Sequence, residues 1–257
     1  MKLCIVGAGG RMGNWVTASA HLDPDVEIVG GVDHDKSEFI GRTLADNVKV
    51  TTDLAEAMTG ADVYIDFSAP DATRAAAEFA AANGIAAVIG TTGLDDAAER
   101  ALADLAEKAP MLIAANFSLG VNLMLALAEK AAAALPQYDL EVVELHHNRK
   151  RDSPSGTAIA LAKALAEGRG IDYDEAKVYA REGDVGPRTA NEIGVVAIRG
   201  GDIVGEHTAY LVGQNERIEL THRASRRTLF ADGAVHAAKW LVGKSPGRYS
   251  MRDVLGV

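Results

Sequence analysis

The 257-residue chain has one cysteine, no excess of positive charge and no long uninterrupted apolar run. Each absence excludes something. A single cysteine, Cys4, permits no internal disulfide. Because it sits inside the first apolar run, it is expected to be a buried, inert thiol. With 26 Lys and Arg against 36 Asp and Glu, the formal net charge is −10, which argues against a general nucleic-acid binder with a basic face. A local cationic pocket is still compatible with that balance, and Arg149-Lys150-Arg151 is the densest basic run. No apolar stretch is long enough to span a bilayer, and the first apolar run meets glycine at position 7, too early for a secretory signal. A soluble cytoplasmic protein with neither membrane nor nucleic-acid partners is expected.

Hydrophobic content of 48% and charged content of 24% are ordinary for a globular protein, and the length suits one large domain or two moderate ones. The first half alternates strand-like runs ("KLCIVGA", "VEIVGGVD", "VYIDFS", "AAVIGTT", "MLIAANF") with Ala-rich helical stretches at 11–22, 71–83 and 95–108. This alternation predicts an α/β fold with a Rossmann-like, doubly wound parallel sheet. The continuously apolar strands fit a sheet covered on both faces. The texture changes near Leu119: a helix over 119–135, the strand "LEVVELHH" and a helix over 155–168. Three strands then follow without intervening helices, "EIGVVAIRG", "DIVGEHTAYLVG" and "ERIELTHRAS". Such a series predicts antiparallel pairing in an α+β domain with one open sheet face. Residues 230–243 return to helix, expected to pack back onto the first half.

"LCIVGAGGRMG" sets Gly7, Gly9, Gly10 and Gly13 between a strand and a helix. A tight turn that admits a pyrophosphate needs glycine, and the helix start supplies N–H groups and a positive dipole end. Asp33 ends the second strand, 20 residues after Gly13, where a carboxylate meets adenosine ribose hydroxyls. "GTTG" at 90–93 and "AANFSLG" at 114–120 also follow strands, placing both at the carboxyl ends where ligands of open α/β sheets bind. Thr91 and Thr92 read equally well as caps of the next helix.

"EVVELHHNRKRDSPSGTA", residues 141–158, gathers two histidines, three cations and a helix start. Neighbours in a strand point to opposite faces, so His146 and His147 do not readily share a metal ion. No carboxylate or cysteine cluster completes a ligand set at usable spacing, so no metal is expected. Pro154 and Ser155 read as the entry and N-cap of a helix, with Gly156 and Thr157 offering N–H groups to an anion. The histidines and Lys150 can supply further anion contacts and an acid for proton transfer. Together they suggest a site for a small carboxylate that is reduced and protonated.

"ELHHNRKRDSPSGTA" resembles the signature of the dihydrodipicolinate reductase family of lysine and diaminopimelate synthesis. The likeness runs in order through "GAGGRMG", "IDFS", "IGTTG", "AANFSLGVNLM" and "GDIVGEHTAYL". It implies NAD(P)H-dependent reduction of 4-hydroxy-tetrahydrodipicolinate, a small dicarboxylate, to tetrahydrodipicolinate with loss of water. The carried-over roles are these. Gly7, Ala8, Gly9, Gly10, Arg11 and Met12 cradle the pyrophosphate, and Asp33 with His34 meets the adenosine ribose. Gly90, Thr91 and Thr92, with Ala114, Ala115, Asn116 and Phe117, border the nicotinamide. His146 is the proton donor/acceptor and Lys150 the proton donor, while His147, Gly156 and Thr157 bind substrate. The resemblance also implies a hinged dinucleotide-binding domain of 1–117 and 228–257. Between these lies a substrate domain of 118–227, whose open mixed sheet builds a homotetramer.

Which proton step uses Lys150 and which His146 stays open. A different nicotinamide reductase of similar architecture, or a dinucleotide-sensing regulator, would share parts of the pattern. The acidic chain without a DNA-binding module argues against the regulator. For the cofactor, Asp33 repels a 2′-phosphate, whereas His34 and Lys36 can offset it. NADH and NADPH are both expected to work, with NADH favoured.

Overall fold

The structure, a computed structural model, describes residues Met1 to Val257. In chain order its first elements are β1 (Lys2–Val6), α1 (Arg11–His21), β2 (Glu27–Val32), β3 (Thr43–Ala45), β4 (Val48–Thr51), α2 (Leu54–Met58) and β5 (Val63–Asp66). Next come α3 (Pro70–Asn83), β6 (Ala86–Ile89), α4 (Asp96–Lys108), β7 (Pro110–Ile113), α5 (Leu119–Ala134), β8 (Asp139–His146) and α6 (Gly156–Arg169). The last are α7 (Tyr173–Ala176), β9 (Lys177–Val178), β10 (Ile193–Arg199), β11 (Gly205–Val212), β12 (Arg217–Ala224), α8 (Leu229–Leu241), β13 (Gly247–Tyr249) and α9 (Met251–Leu255). Two compact units result: Met1–Ser118 with Thr228–Gly256, and Leu119–Arg227, with which Val257 groups. No helix is long and apolar enough to cross a membrane.

The first unit is built on an eight-stranded sheet, order β13-β7-β6-β5-β1-β2-β4-β3. All pairs are parallel except β3 with β4. Strand order reverses at β1, the switch point beside which doubly wound sheets bind ligands. Period-two alternation sends Cys4 and Val6 to the side carrying α3 and α4, where they join Tyr64, Ala76, Ala80, Leu102 and Leu105 in one apolar cluster. Leu3 and Ile5, equally buried, point the other way. Burial pushes the Cys4 thiol up to about 12, so it stays protonated and unreactive.

Local chemistry fixes the helix ends. Pro70 opens α3, and Gly84 closes it at φ +67°. Asp95 caps α4 through the Ala98 N–H, so Thr91 and Thr92 do not cap it. The hairpin β3–β4, the edge strand β13 and the terminal α9 were not anticipated from the sequence. The last had a legible signal, since Ser250 and Asp253 form a capping box.

In the second unit the sheet order is β12-β11-β8-β10-β9. The expected antiparallel pairing holds for β11 with β12 and β11 with β8. It fails for β10, which runs parallel to β8 over seven residue pairs from Ile193–Leu140 to Arg199–His146. The reason is the connection: α6 lies between β8 and β10 in the chain, making a β-α-β crossover, and crossovers deliver parallel strands. One sheet face buries Leu140, Val142, Val195, Ala209 and Leu211 with Leu161 and Leu165 of α6. The other face carries Val143, Val196 and Thr208 in one row and Leu145, Ile198 and Glu206 in the next; Val196 is 41% exposed and Ile198 45%.

Several elements meet backbone to backbone. A Cβ added at Gly30 on β2 would lie 1.7 Å from the Ala57 carbonyl oxygen of α2. Gly30→Ala should therefore lower the thermal denaturation midpoint, with an overpacking loss of about 1–3 kcal/mol. Gly200→Ala, where an added Cβ meets nothing within 4 Å, should stay within roughly 0.5 kcal/mol of the parent.

Candidate active site

The glycine turn of the first unit is a folded cradle. Gly7 takes φ +79°, which side-chain-bearing residues rarely adopt. The Gly7 and Ala8 N–H groups both donate to the Val32 carbonyl, at 2.9 and 3.1 Å. Gly10 is the N-cap of α1, and Arg11 and Met12 form its first turn. A Cβ at Gly13 would fall 2.2 Å from the Gly7 carbonyl oxygen, so Gly13 is the glycine that lets the helix start close on the turn.

Asp33 sits at the edge of this turn with its carboxylate aimed inward. Oδ2 accepts the Gly9 N–H at 2.8 Å and the Ser37 hydroxyl at 3.0 Å, and Oδ1 accepts the His34 N–H at 2.8 Å. A cavity of about 660 Å³ opens here, bordered by Gly7, Gly9, Gly10, Asp33, His34 and Lys36 on one side and Phe67, Ser68 and Ala69 on another. This volume lies in the range of small-molecule sites. A side chain at Gly9 would fall among Asp33, Ser37 and Phe39, which line the same cavity, so the cradle fits a dinucleotide.

Two further loops leave the same sheet edge. A Cβ at Gly90 would meet the Phe67 ring at 2.0 Å, and Phe67 packs edge-on to Phe117, with centroids 5.5 Å apart. The Thr91 hydroxyl donates to Asp66 Oδ1 at 3.1 Å and accepts the Ser68 N–H at 3.0 Å. Thr92 and Ala115 are exposed, while Ala114 is anchored through its N–H to the Ile89 carbonyl at 3.1 Å. The Asn116 side chain accepts the Ser118 N–H at 2.9 Å. Asp66, which was not singled out from the sequence, is the buried hub beneath these loops. Burial raises its carboxyl above the ordinary range, against hydrogen bonds from Ser68, Thr73 and Thr91 that pull it down.

In the second unit the histidine segment builds a polar cluster at the end of β8. Glu144 and His146 are two residues apart and share the buried face. The Glu144 carboxylate accepts from Arg199 at 2.9 and 2.7 Å, from the Ser155 N–H at 3.0 Å and from His146 Nδ1. Burial pushes the Glu144 carboxyl up, but the Arg199, His146 and Ser155 bonds outweigh it and hold it below the ordinary range. The His146 imidazole is shifted down, by burial first, against the upward pull of Glu144.

Ser155 caps α6 through the Ala158 N–H, and its hydroxyl also meets His207 Nε2 at 3.0 Å. Gly156 and Thr157 form the first turn of that helix. Lys150 pairs with Asp152 at 2.9 Å, and Arg227 reaches His147 Nε2 at 3.0 Å.

Glu144, His146 and His207 bring donor atoms within 4.8 Å of one another, a carboxylate–histidine set not recognised from sequence spacing. It is no vacant ligand set. A carboxylate has about four acceptor positions, and the four donors on Glu144 fill them. Arg199 and His207 were missed because they lie far along the chain; the i, i+2 spacing of Glu144 and His146 was a legible signal.

The fold pushes the His207 imidazole down to about 4, through burial first and then the nearby His146. Because the folded value lies below the ordinary 6.5, the unfolded chain binds the proton first as pH falls. Stability is therefore full above about pH 6.5 and declines between 6.5 and 4, by on the order of 3 kcal/mol from this residue. Thermal melts of His207→Gln should show a shallower decline between pH 7 and 5 than the parent protein.

Comparison with known proteins identifies the family. Family models described as dihydrodipicolinate reductase, N-terminus and C-terminus, match residues 1–117 and 120–255. The 4-hydroxy-tetrahydrodipicolinate reductase of Thiobacillus denitrificans is 44% identical over 264 residues, covering 100% of this chain and 99% of the relative. That of Alkalilimnicola ehrlichii is 46% identical with the same coverage. Among solved structures, dipicolinate-bound dihydrodipicolinate reductase from Paenisporosarcina sp. TG-14 superposes with a TM-score of 0.82 at 25% identity, covering 97% of both chains. GenD2 from gentamicin A biosynthesis, solved with NAD, shares the fold at a TM-score of 0.60 and 15% identity, over 99% of this chain and 90% of its own. With both halves matched in order, and relatives alike from end to end, the chain belongs to the dihydrodipicolinate reductase family.

Proposed function

We propose that this protein reduces 4-hydroxy-tetrahydrodipicolinate to tetrahydrodipicolinate with loss of water, using NADH or NADPH, in lysine biosynthesis through the diaminopimelate pathway. The observation that carries this reading is the cluster at the end of β8. There a buried, carboxylate-bound His146, a lysine on the following loop and a capped helix start converge in a chain that matches the family throughout.

The chemistry follows from the residues. Loss of the 4-hydroxyl leaves a conjugated imine, which accepts a hydride at C4 and then needs a proton. The Gly7–Met12 turn with Asp33 and His34 would hold the nucleotide, and Gly90, Thr91, Thr92 and Ala114 to Phe117 would border its reactive end. A bound nicotinamide supplies the hydride. His147, Gly156 and Thr157 bind the carboxylates, the last two through the positive end of α6. Lys150 stabilises negative charge as the hydride adds and donates a proton, while His146 exchanges one.

In this reading residues 1–117 and 228–257 act as the dinucleotide-binding domain and 118–227 as the substrate-binding and tetramerisation domain. The open sheet face bearing Val196 and Ile198 supports association into a homotetramer. The family assignment and the absence of a membrane-crossing helix support a cytoplasmic location.

Adding the lysine-pathway substrate to enzyme and reduced cofactor should give steady loss of NADH absorbance. Lys150→Ala should lower kcat by roughly 10²–10⁴-fold, and Lys163→Ala, at an exposed position midway along α6, should leave it near the parent value. Parent-like turnover in Lys150→Ala would remove Lys150 from the mechanism.

The same cavity speaks to cofactor choice. Asp33 faces the ribose position and repels a 2′-phosphate, while His34 and Lys36 line the same wall. We infer that both cofactors serve, with NADH favoured. His34→Arg places a permanent, bidentate phosphate donor there. It should raise the NADPH-to-NADH ratio of kcat/KM by about tenfold, or about 1.4 kcal/mol, measured in parallel at fixed pH.

A further inference from the structure

The Glu144 carboxylate is fully buried, and every bond it makes reaches a part of the proposed active site. Oε2 meets His146 Nδ1 and Arg199 Nη1; Oε1 meets Arg199 Nη2 and the Ser155 N–H that precedes α6. Arg199 Nη2 also donates to the Asp152 carbonyl at 2.9 Å, on the loop that carries Lys150. One carboxylate–guanidinium pair thus touches the strand bearing His146, the loop bearing Lys150 and the start of the anion-binding helix.

An ionised carboxylate accepts hydrogen bonds and donates none. The hydrogen between Glu144 and His146 must then sit on Nδ1, leaving the lone pair of the neutral ring on Nε2. Nε2 lies close to the backbone of β11: a Cβ at position 205 would come within 2.9 Å of it, and the residue there is glycine. His207 stands edge-on to the His146 ring, with centroids 5.1 Å apart and an interplanar angle of 74°. Its own Nε2 is occupied by the Ser155 hydroxyl.

We propose that Glu144 and Arg199 are positioning residues, which lock His146 in its Nδ1–H tautomer and so make Nε2 the nitrogen that exchanges the substrate proton. The step balances simply: Nε2 takes or returns one proton, Nδ1–H stays bonded to Glu144, and the carboxylate stays ionised opposite Arg199. Neither residue touches the substrate. This inference rests on the proton-exchange role given to His146 above.

The test uses full-length protein labelled with ¹⁵N-histidine at neutral pH, with the His146 signals assigned by their loss in His146→Gln. The expected spectrum shows His146 protonated at Nδ1 and bare at Nε2. In Glu144→Gln, whose amide can also donate, the ring should gain Nε2–H tautomer. Turnover should then fall by roughly 10²–10⁴-fold, the upper end being the loss when the orienting carboxylate of a histidine base becomes an amide, with the KM for reduced cofactor within about twofold of the parent. Glu144→Asp, which keeps the charge, should recover part of both losses. A parent spectrum with the His146 proton on Nε2 would overturn the proposal before any Glu144 variant is made. So would a Glu144→Gln enzyme with unchanged tautomer and kcat. If His146→Gln itself kept full turnover, the proton-exchange role would fall first, and this inference with it.

Discussion

A buried carboxylate has to be answered by donors, and in the second unit the answer organises everything near it. Removing one partner of a buried ion pair typically costs about 3–5 kcal/mol, because the other charge is left uncompensated. Glu144 is answered by a guanidinium from β10, a backbone N–H at the start of α6 and an imidazole from its own strand. The parallel pairing of β10 with β8 is what brings Arg199 beside His146. The unexpected strand direction and the chemistry of the cluster are therefore one fact seen twice.

The first unit uses the same device with a different balance. Asp66 ends β5, as His146 ends β8, and it too holds loops together from below. Its partners are the neutral hydroxyls of Ser68, Thr73 and Thr91 and one backbone N–H, with no cation among its hydrogen bonds. Burial consequently wins, and the carboxyl is raised, whereas the arginine on Glu144 tips the balance the other way. Hydroxyl donors suit loops that must take a set shape; a guanidinium suits a charge that must persist beside a titrating imidazole.

Much of this was legible in the sequence. Alternating strands and helices gave the parallel sheet, because covered strands must be apolar on both faces. The glycine turn, Asp33 and the Ser155 cap were readable because each depends on residues a few positions apart. What failed depended on distance along the chain. The pairing of β10 required knowing that α6 is a crossover, and local strand patterns carry no strand direction. Arg199 and His207 belong to the cluster only because β10 and β11 flank β8. The family resemblance supplied roles for His146 and Lys150, but not the carboxylate that sits behind the histidine.

The placement of the two neighbouring histidines governs how this chain can change length. On β8, Glu144 and His146 face inward, Val143 and Leu145 face the open side, and strands pair on both edges. Losing or gaining one residue within such a strand exchanges its faces. A deletion there would present the carboxylate to the open side, drive a leucine into the polar cluster and substitute one histidine for the other. Substitution can degrade this strand by degrees, but an insertion or deletion inverts it. Drift in length is left to turns such as 213–216, between the paired ends of β11 and β12, where an added residue changes the path of the chain and not the side on which its chemistry falls.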